Sequence, residues 1–82
     1  MARIIDTVRK NMIGATLKRL RTEQNLSQQA LSARLELQGV YVCRGSISRI
    51  EDYSRTVTDI ELFALAKALG VQPQDLYEIP AP

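Results

Sequence analysis

The chain has 82 residues, of which 45% are hydrophobic and 24% charged, with a net charge of +2. These values indicate one small globular domain and exclude wholesale disorder. One cysteine and no histidine exclude an internal disulfide and a His/Cys zinc site within one chain. The charge is unevenly placed: residues 1–55 contain ten Lys/Arg and five Asp/Glu, a net +5, and residues 56–82 contain one Lys and four acids, a net −3. We therefore expect the first two thirds of the chain to face an anionic partner.

The sequence lacks the segments that export or anchor a protein. Its opening, Met-Ala-Arg-Ile-Ile-Asp, has no apolar run of the signal-peptide kind, and no stretch reaches the roughly 18–20 apolar residues of a membrane span. The sequence also has no glycine-rich phosphate loop and no histidine for general acid–base chemistry. We expect a cytoplasmic protein that is not an enzyme, has no cofactor or metal ion, and does not associate with membranes.

Residues 1–11 mix the apolar Ile4, Ile5 and Val8 with basic residues. This spacing suits a short amphipathic helix or an arm that packs on a partner subunit, and a frayed terminus fits the same residues. No predicted helix stripe needs these side chains or Ile79, and a chain this small is stabilised by a second subunit. We therefore expect a two-fold homodimer.

Apolar residues recurring at helical spacing predict a first helix over about residues 12–24. Ser27 is a good N-cap for a second helix, which should end near Gly39 because glycine adopts the left-handed conformation easily. Gln28 and Gln29 fill its first turn, where unpaired N–H groups and the positive end of the helix dipole can bind a phosphate. Two solvated glutamines are the alternative interpretation of these residues, and we favour the phosphate contact.

The apolar, β-prone segment Val40-Tyr41-Val42 predicts an extended link that packs on the domain. Cys43 follows, at or beside the cap of the next helix. No adjacent feature clearly selects for a thiolate, so we expect Cys43 to be buried and structural rather than reactive.

Residues 44–51 predict a short third helix with two different faces. Ile47 and Ile50 stand three residues apart and would dock inward. The other face carries small, polar and basic residues: Arg44, Gly45, Ser48 and Arg49. Gly45 costs about 1 kcal/mol relative to alanine inside a helix, and its missing side chain would let the backbone approach a partner closely. We interpret this element as a DNA-reading helix; a solvated surface helix is the alternative.

The sequence Thr58-Asp-Ile-Glu61 is a capping box that opens a fourth helix, and Gly70 ends it. Pro73 suits the first position of a last short helix that reaches Tyr77. No strand pattern or repeat occurs in the sequence. The elements together predict an all-α fold, a compact five-helix bundle.

Four sequence blocks occur in a fixed order: Leu17-x-x-Leu20-Arg21, Leu26-Ser27-Gln28-x-x-Leu31, Ile47-Ser48-Arg49-Ile50-Glu51 and Ile60-x-x-x-x-x-Ala66-x-Ala68-Leu69-Gly70-Val71. In this order the chain resembles the Cro-like phage-repressor superfamily of helix-turn-helix DNA-binding domains, also called the xenobiotic-response-element type. The resemblance covers about residues 12–77, between an arm at 1–11 and a tail at 78–82. It implies a lambda-repressor-like bundle whose second and third helices form the helix-turn-helix, usually in a symmetric dimer that regulates transcription.

The resemblance also implies residue roles. The third helix, about residues 43–52, looks like the recognition helix that enters the major groove. Its base contacts would be Arg44, Gly45, Ser48 and Arg49. Phosphate contacts would be Gln28 with Gln29 at the start of the second helix, and Ser54 with Arg55 in the loop after the third. Arg21 and Glu51 match a structural ion pair that ties the first helix to the end of the third.

One departure from the family is the distance between Leu35 and Ile47, which is about five residues longer than the family's tight turn. The stretch 36–42 must therefore form an extended turn, as in a subset of small bacterial regulators with a longer Gly-containing link. Such a turn can tilt or displace the recognition helix, so Arg44 and Arg49 both remain candidates for reading a base.

We expect a sequence-specific DNA-binding transcriptional regulator, associated with the nucleoid, that acts as a repressor on a palindromic operator. The alternative is an antitoxin or a protein-interaction adaptor with the same fold. In that case the acidic half and residues 76–79 would bind a protein.

Overall fold

The computed structural model describes residues 8–78. Residues 1–7 and 79–82 lie outside the described residues, and with them Ile4, Ile5 and Ile79 of the predicted dimer contact. The described elements are α1 (Gly14–Glu23), α2 (Gln28–Leu37), α3 (Arg44–Glu51), α4 (Asp59–Leu69) and a 3-10 helix (Pro73–Leu76). The predicted all-α fold is confirmed. The fifth helix is a 3-10 helix of four residues rather than an α-helix. The 3-10 helix, with its i to i+3 hydrogen bonds, is a common form of such short helical segments.

The sequence signals that begin and end the helices act as predicted. The Ser27 side chain accepts a hydrogen bond from the Ala30 N–H at 3.0 Å at the start of α2. At the start of α4, the Thr58 hydroxyl accepts from the Glu61 N–H and the Glu61 carboxylate accepts from the Thr58 N–H, at 3.1 and 3.0 Å. Gly70 ends α4 with φ of 72°. These caps satisfy backbone groups that a helix end leaves unpaired.

The core lies between the four helices and the 3-10 turn. Its fully buried large side chains are Leu17, Leu31, Leu35, Ile47, Ile50, Leu65 and Leu76. Each contributes about 1.5–3 kcal/mol by leaving water, and together they come from every helix. The α3 helix packs against both α1 and α2, with Ile47 and Ile50 inward, so its opposite face stays at the surface. In the described part of the chain, no helix is both long and apolar enough to cross a membrane.

The link between α2 and α3 is extended, as predicted, and its side chains alternate in direction. Val42 is buried and Val40 half-buried, whereas Tyr41 and Cys43 are exposed. The Ser32 hydroxyl donates to the Val42 carbonyl at 2.7 Å and fixes the link on α2. The predicted burial of Cys43 is wrong, because successive side chains of an extended segment point to opposite sides and Val42 takes the inward one.

The segments before α1 and after the 3-10 helix both pack on the bundle. The Asn11 side chain donates to the carbonyls of Ile50 and Arg55, at 3.0 and 2.9 Å. The Glu78 N–H donates to the Met12 carbonyl at 2.8 Å. Contacts with the helices therefore continue on both sides of the stretch that the sequence assigns to the domain.

Arg21 and Glu51 form the ion pair that the sequence predicts. Arg21 Nε lies 2.7 Å from Glu51 Oε2, and Nη2 lies 3.0 Å from Oε1. Their side chains are only 10% and 4% exposed. Arg21 Nη1 also donates to the Leu26 carbonyl at 2.7 Å, and Glu51 Oε1 accepts from the Gln28 amide at 3.0 Å. One buried ion pair with two further hydrogen bonds thus joins α1, the turn before α2, the start of α2 and the end of α3.

Gly14 lies where the first turn of α1 meets the end of α3. A Cβ atom at this position would stand 2.7 Å from the Ile50 carbonyl oxygen and 2.9 Å from that of Glu51. Both neighbours are backbone atoms, which cannot rotate away. The absence of a side chain at Gly14 therefore sets how closely α1 approaches the end of α3, a constraint that the sequence analysis did not identify.

We expect Gly14→Ala to lower the free energy of unfolding by about 1–3 kcal/mol, the usual cost of overpacking. Gly45→Ala is the matched control, because its Cβ would meet only Arg49 Nη1, at 3.6 Å. The control should be neutral or stabilise α3 by up to about 1 kcal/mol. Urea unfolding measures both, and equal stability of the two variants would contradict the close approach at Gly14.

Removing one partner of the buried ion pair strands the other charge, which we expect to cost about 3–5 kcal/mol for Arg21→Met or Glu51→Leu. The double variant should be more stable than at least one of the single variants, because no unpaired charge remains. Thermal and urea unfolding of the three variants and the wild type gives the coupling free energy between Arg21 and Glu51. If each single variant lost little stability and the two losses added in the double variant, the pair would be screened by water.

Candidate nucleic-acid interface

The α3 helix separates its residues as the sequence analysis expects. Ile47 and Ile50 are fully buried, and the four proposed base-contacting residues are all exposed: Arg44, Gly45, Ser48 and Arg49. An α-helix with its side chains is about 10–12 Å across, which fits the roughly 12 Å wide major groove of B-DNA. The exposed face offers two cations, a hydroxyl and a bare stretch of backbone.

The Arg49 side chain lies along the helix toward its N-terminus. Its Nη2 donates to Ser46 Oγ at 3.0 Å, and its Nη1 comes within 3.6 Å of the position a Cβ would take on Gly45. Long helical side chains lean this way in general. Arg49 therefore places its charge near the N-terminal half of α3, where Arg44 also stands.

The N-terminal end of α3 is electropositive for a second reason. Cys43 is the N-cap residue and makes no side-chain bond to the helix backbone, so the unpaired N–H groups of the first turn keep their positive partial charge. Cys43 Sγ lies 3.4 Å from Ser46 Oγ, and the hydrogen bond that the Ser46 hydroxyl donates to the thiolate lowers the pKa of Cys43. Arg44 and Arg49 add two full charges to the same end.

The start of α2 presents the two glutamines differently. Gln28 is half-buried, and its amide donates to Glu51 Oε1 at 3.0 Å. Gln29 is exposed and stands beside Ser46 and Cys43 around a shallow surface depression of about 400 Å³. Gln28 thus links the start of α2 to the buried ion pair, while Gln29 faces outward next to α3. The phosphate contacts of both remain predictions.

The loop after α3 is folded by its own polar residues. The Ser54 N–H donates to the Arg49 carbonyl at 2.9 Å, and the Ser54 hydroxyl donates to Asp52 Oδ1 at 2.5 Å. The Arg55 guanidinium donates to both carboxylate oxygens of Glu61, at 2.9 and 2.8 Å. The hydrogen bond with Arg55 is also the main reason that the pKa of Glu61 is lowered. The phosphate contacts of Ser54 and Arg55 stay predictions, with Arg55 already paired to a carboxylate.

Tyr53 and Glu78 are site-supporting residues that the sequence analysis missed. Tyr53 takes a left-handed conformation, with φ of 67°, and the Arg9 guanidinium lies 4.4 Å from its ring centre. The Tyr53 hydroxyl donates to Glu78 Oε1 at 2.5 Å and accepts from the Ala15 N–H at 3.1 Å. Glu78 Oε2 accepts from the Thr16 N–H at 3.1 Å. This network fixes the turn after α3 to the first turn of α1. No local sequence pattern marks contacts over such separations.

The lowered pKa of Glu61 gives a direction for the effect of pH. A carboxyl whose pKa falls on folding stabilises the protein above its unfolded pKa, and this contribution disappears as the pH falls through the folded value. We expect the free energy of unfolding to decrease as the pH is lowered below about 4.3, the usual glutamate pKa. Glu61→Gln should be less stable at pH 7 and should lose this part of the pH dependence.

The matched control is Asp59→Asn, which removes a carboxylate from the same helical turn and keeps the Arg55–Glu61 pair. Urea unfolding at several pH values compares the three proteins. If Glu61→Gln and Asp59→Asn showed the same acid dependence, the Arg55 pair would not be its source.

Comparison with known proteins identifies the family to which this arrangement of helices belongs. The profile of the helix-turn-helix family matches residues 17–76, and no curated protein matches the sequence significantly. The restriction-modification controller protein C.AhdI from Aeromonas hydrophila is 31% identical, with a TM-score of 0.69, over 79% of this chain and 87% of that one. The phage P22 c2 repressor, whose structure was determined in complex with a synthetic operator, is 27% identical with a TM-score of 0.69, over 82% and 94% of the two chains.

The DNA-binding domain of BldD is 28% identical with a TM-score of 0.71, and the match covers 90% of this chain and all of that one. The family match includes α2, the link and α3, and it extends over most of the chain. The chain therefore belongs to the helix-turn-helix family of DNA-binding transcriptional regulators, within its Cro-like phage-repressor type.

Proposed function

We propose that the chain represses transcription by binding a two-fold symmetric operator as a homodimer, with α3 of each subunit in the major groove. The observation that carries this proposal is the split of α3 into a buried isoleucine face and an exposed face of basic, small and hydroxyl residues. A helix held in this way can present side chains to base edges without losing its own packing. The proposal includes no catalytic step, and it places the protein in the cytoplasm with the nucleoid.

Either arginine of α3 has the chemistry to read a guanine. A guanidinium can donate two parallel hydrogen bonds to the O6 and N7 atoms of guanine in the major groove. Arg49 now bonds a neutral hydroxyl on Ser46, an exposed interaction that it can exchange for a guanine. Ser48 can bond either a donor or an acceptor on a base edge, and Gly45 lets the helix backbone approach closely.

Phosphate contacts on both sides of α3 would supply most of the affinity and fix the register. At the start of α2, the free N–H groups, Gln28 and Gln29 offer donors to one phosphate. In the loop after α3, Ser54 and Arg55 would serve a second phosphate. Because Glu61 neutralises Arg55, we expect this arginine to release fewer counterions than an unpaired one.

Two-fold symmetry follows from the size of the site and the kind of target. One α3 helix with four exposed residues can read only a few base pairs, whereas two subunits double the site and place half-sites about 34–36 Å apart. The similarity to a phage repressor whose structure was determined with a synthetic operator supports operator binding and the repressor role. Occupying an operator that overlaps a promoter would exclude polymerase by simple blocking.

Arg44→Ala and Arg49→Ala separate base reading from charge. At least one of them should cost about 1–3 kcal/mol on the preferred site and relax the preference at one base pair per half-site. Arg34→Ala is the matched control, because it removes an equal charge from the far end of α2, where Arg34 Nη1 donates to the Ala68 carbonyl. It should change the specificity profile little.

The measurement is selection from randomised DNA, followed by binding curves at two salt concentrations. A palindromic preferred sequence supports the dimer. Unchanged specificity in both α3 variants would mean that another element reads the sequence, and the proposal would fail.

A further inference from the structure

The α4 helix has an outward face that no other part of the described chain covers. Its inner side chains, among them Leu65 and Leu69, are buried, whereas Ile60 and Phe63 are 67% and 61% exposed. Asp59 and Lys67 are exposed as well. At 100° per residue, these four exposed residues fall within about one third of the helix circumference. They define the α4 face: Asp59, Ile60, Phe63 and Lys67.

A groove of about 510 Å³ runs beside the α4 face, between α4 and the link that follows α2. Ile60, Phe63 and Ala64 line it on the α4 side, and Val40 and Gln38 line it on the link side. Gln38 Nε2 donates to the Ala64 carbonyl at 2.9 Å and holds this side in place. The groove is thus a preformed apolar recess with an aromatic ring at its edge, and its volume can receive side chains of a partner.

The charges on the α4 face are arranged so that the face complements itself. Asp59, Phe63 and Lys67 follow one another at intervals of four residues, so each step rises about 6 Å along α4. If two α4 helices cross antiparallel at a two-fold axis through Phe63, Asp59 lies opposite Lys67 of the partner subunit, and the reverse pair forms at the other end. A two-fold interface requires such a self-complementary patch, which an unrelated partner would not.

We propose that a second copy of this chain docks on the α4 face and forms the dimer that reads the operator. The two Phe63 rings meet near the axis beside the partner's groove, with Ile60 flanking them, and two Asp59–Lys67 ion pairs fix the antiparallel direction. This proposal rests on the proposed function, in which the regulator binds DNA as a dimer. It places the contact on α4, whereas the sequence analysis placed it on the apolar residues of the two chain ends.

The size of the α4 face predicts a dimer that depends on DNA. A stable interface buries about 800 Å² on each partner, and a crossing of two short helices with exposed ion pairs falls below that area. We therefore expect weak self-association in free solution and clear cooperativity on an operator with two half-sites, where one DNA molecule brings the subunits together.

The test exchanges the charges of the α4 face. In Asp59→Lys both ends of the stripe are positive, and in Lys67→Asp both are negative, so each variant should repel itself and lose about tenfold or more of its cooperativity on two half-sites. An equimolar mixture of the two variants should recover cooperativity, because each end then meets the opposite charge. Phe63→Glu should abolish cooperativity without recovery by either variant.

Three controls make the test specific. Lys18→Asp makes the same charge change on the exposed side of α1 and should keep wild-type cooperativity. Binding of every variant to a single half-site should stay within about twofold of wild type, and thermal melting checks that α4 is folded. Sedimentation of the mixed variants at high concentration, without DNA, measures the same pairing independently of the operator.

If Phe63→Glu keeps its cooperativity, or if the mixture does no better than either variant alone, a second copy does not dock on the α4 face. Failure of wild type to bind any half-site overturns the proposed function instead. The sedimentation of the mixture then decides the α4 face separately, since selective pairing supports it and its absence overturns it.

Discussion

The position of α3 depends on one buried interaction, the ion pair of Arg21 with Glu51. Two desolvated charges are tolerated in a domain this small because each buried polar atom of the pair has a hydrogen-bond partner. Arg21 bonds both carboxylate oxygens and the Leu26 carbonyl, and Glu51 also accepts from Gln28. A pair of this kind adds little net stability compared with apolar residues. Its contribution is geometric, because the hydrogen bonds of Arg21 and Glu51 can all form only in one arrangement of the segments that carry them. That arrangement joins α1, the start of α2 and the end of α3.

Further contacts hold the C-terminal end of α3. The exposed face of α3 therefore contributes little to holding the helix in place. Gly14 lets α1 approach the last carbonyls of α3. Tyr53 and Glu78 join the turn that follows α3 to α1, and Arg55 binds Glu61 in the capping box of α4. None of these contacts uses Arg44 or Ser48. Because α3 is fixed through its inner face and its end, it would lose little conformational freedom on binding DNA as we propose, which preserves affinity for specific contacts.

The longer link between α2 and α3 is compatible with this fixed helix because its valines pack inward while Tyr41 and Cys43 face out. The same link forms one wall of the groove beside α4. The link therefore has two structural roles: it packs against α2, and it shapes the surface that we propose for the second subunit. In these proposals, DNA recognition lies on α3 and dimer formation on α4, so a substitution can change one without changing the other.

Local sequence determined the helices, their caps and the faces of α3, because these features arise from residues a few positions apart: Ser27 with Ala30, Thr58 with Glu61, Ile47 with Ile50. The Arg21–Glu51 pair was predictable only through the family resemblance. Tertiary structure alone decided which residues meet across the chain, such as Gly14 with Ile50, Tyr53 with Glu78 and Arg55 with Glu61. It also decided that Cys43 is exposed and that Phe63 is left uncovered. A pattern along the chain gives the direction of a side chain within its own helix, but it does not say which other element lies opposite, and that depends on how all the helices pack together.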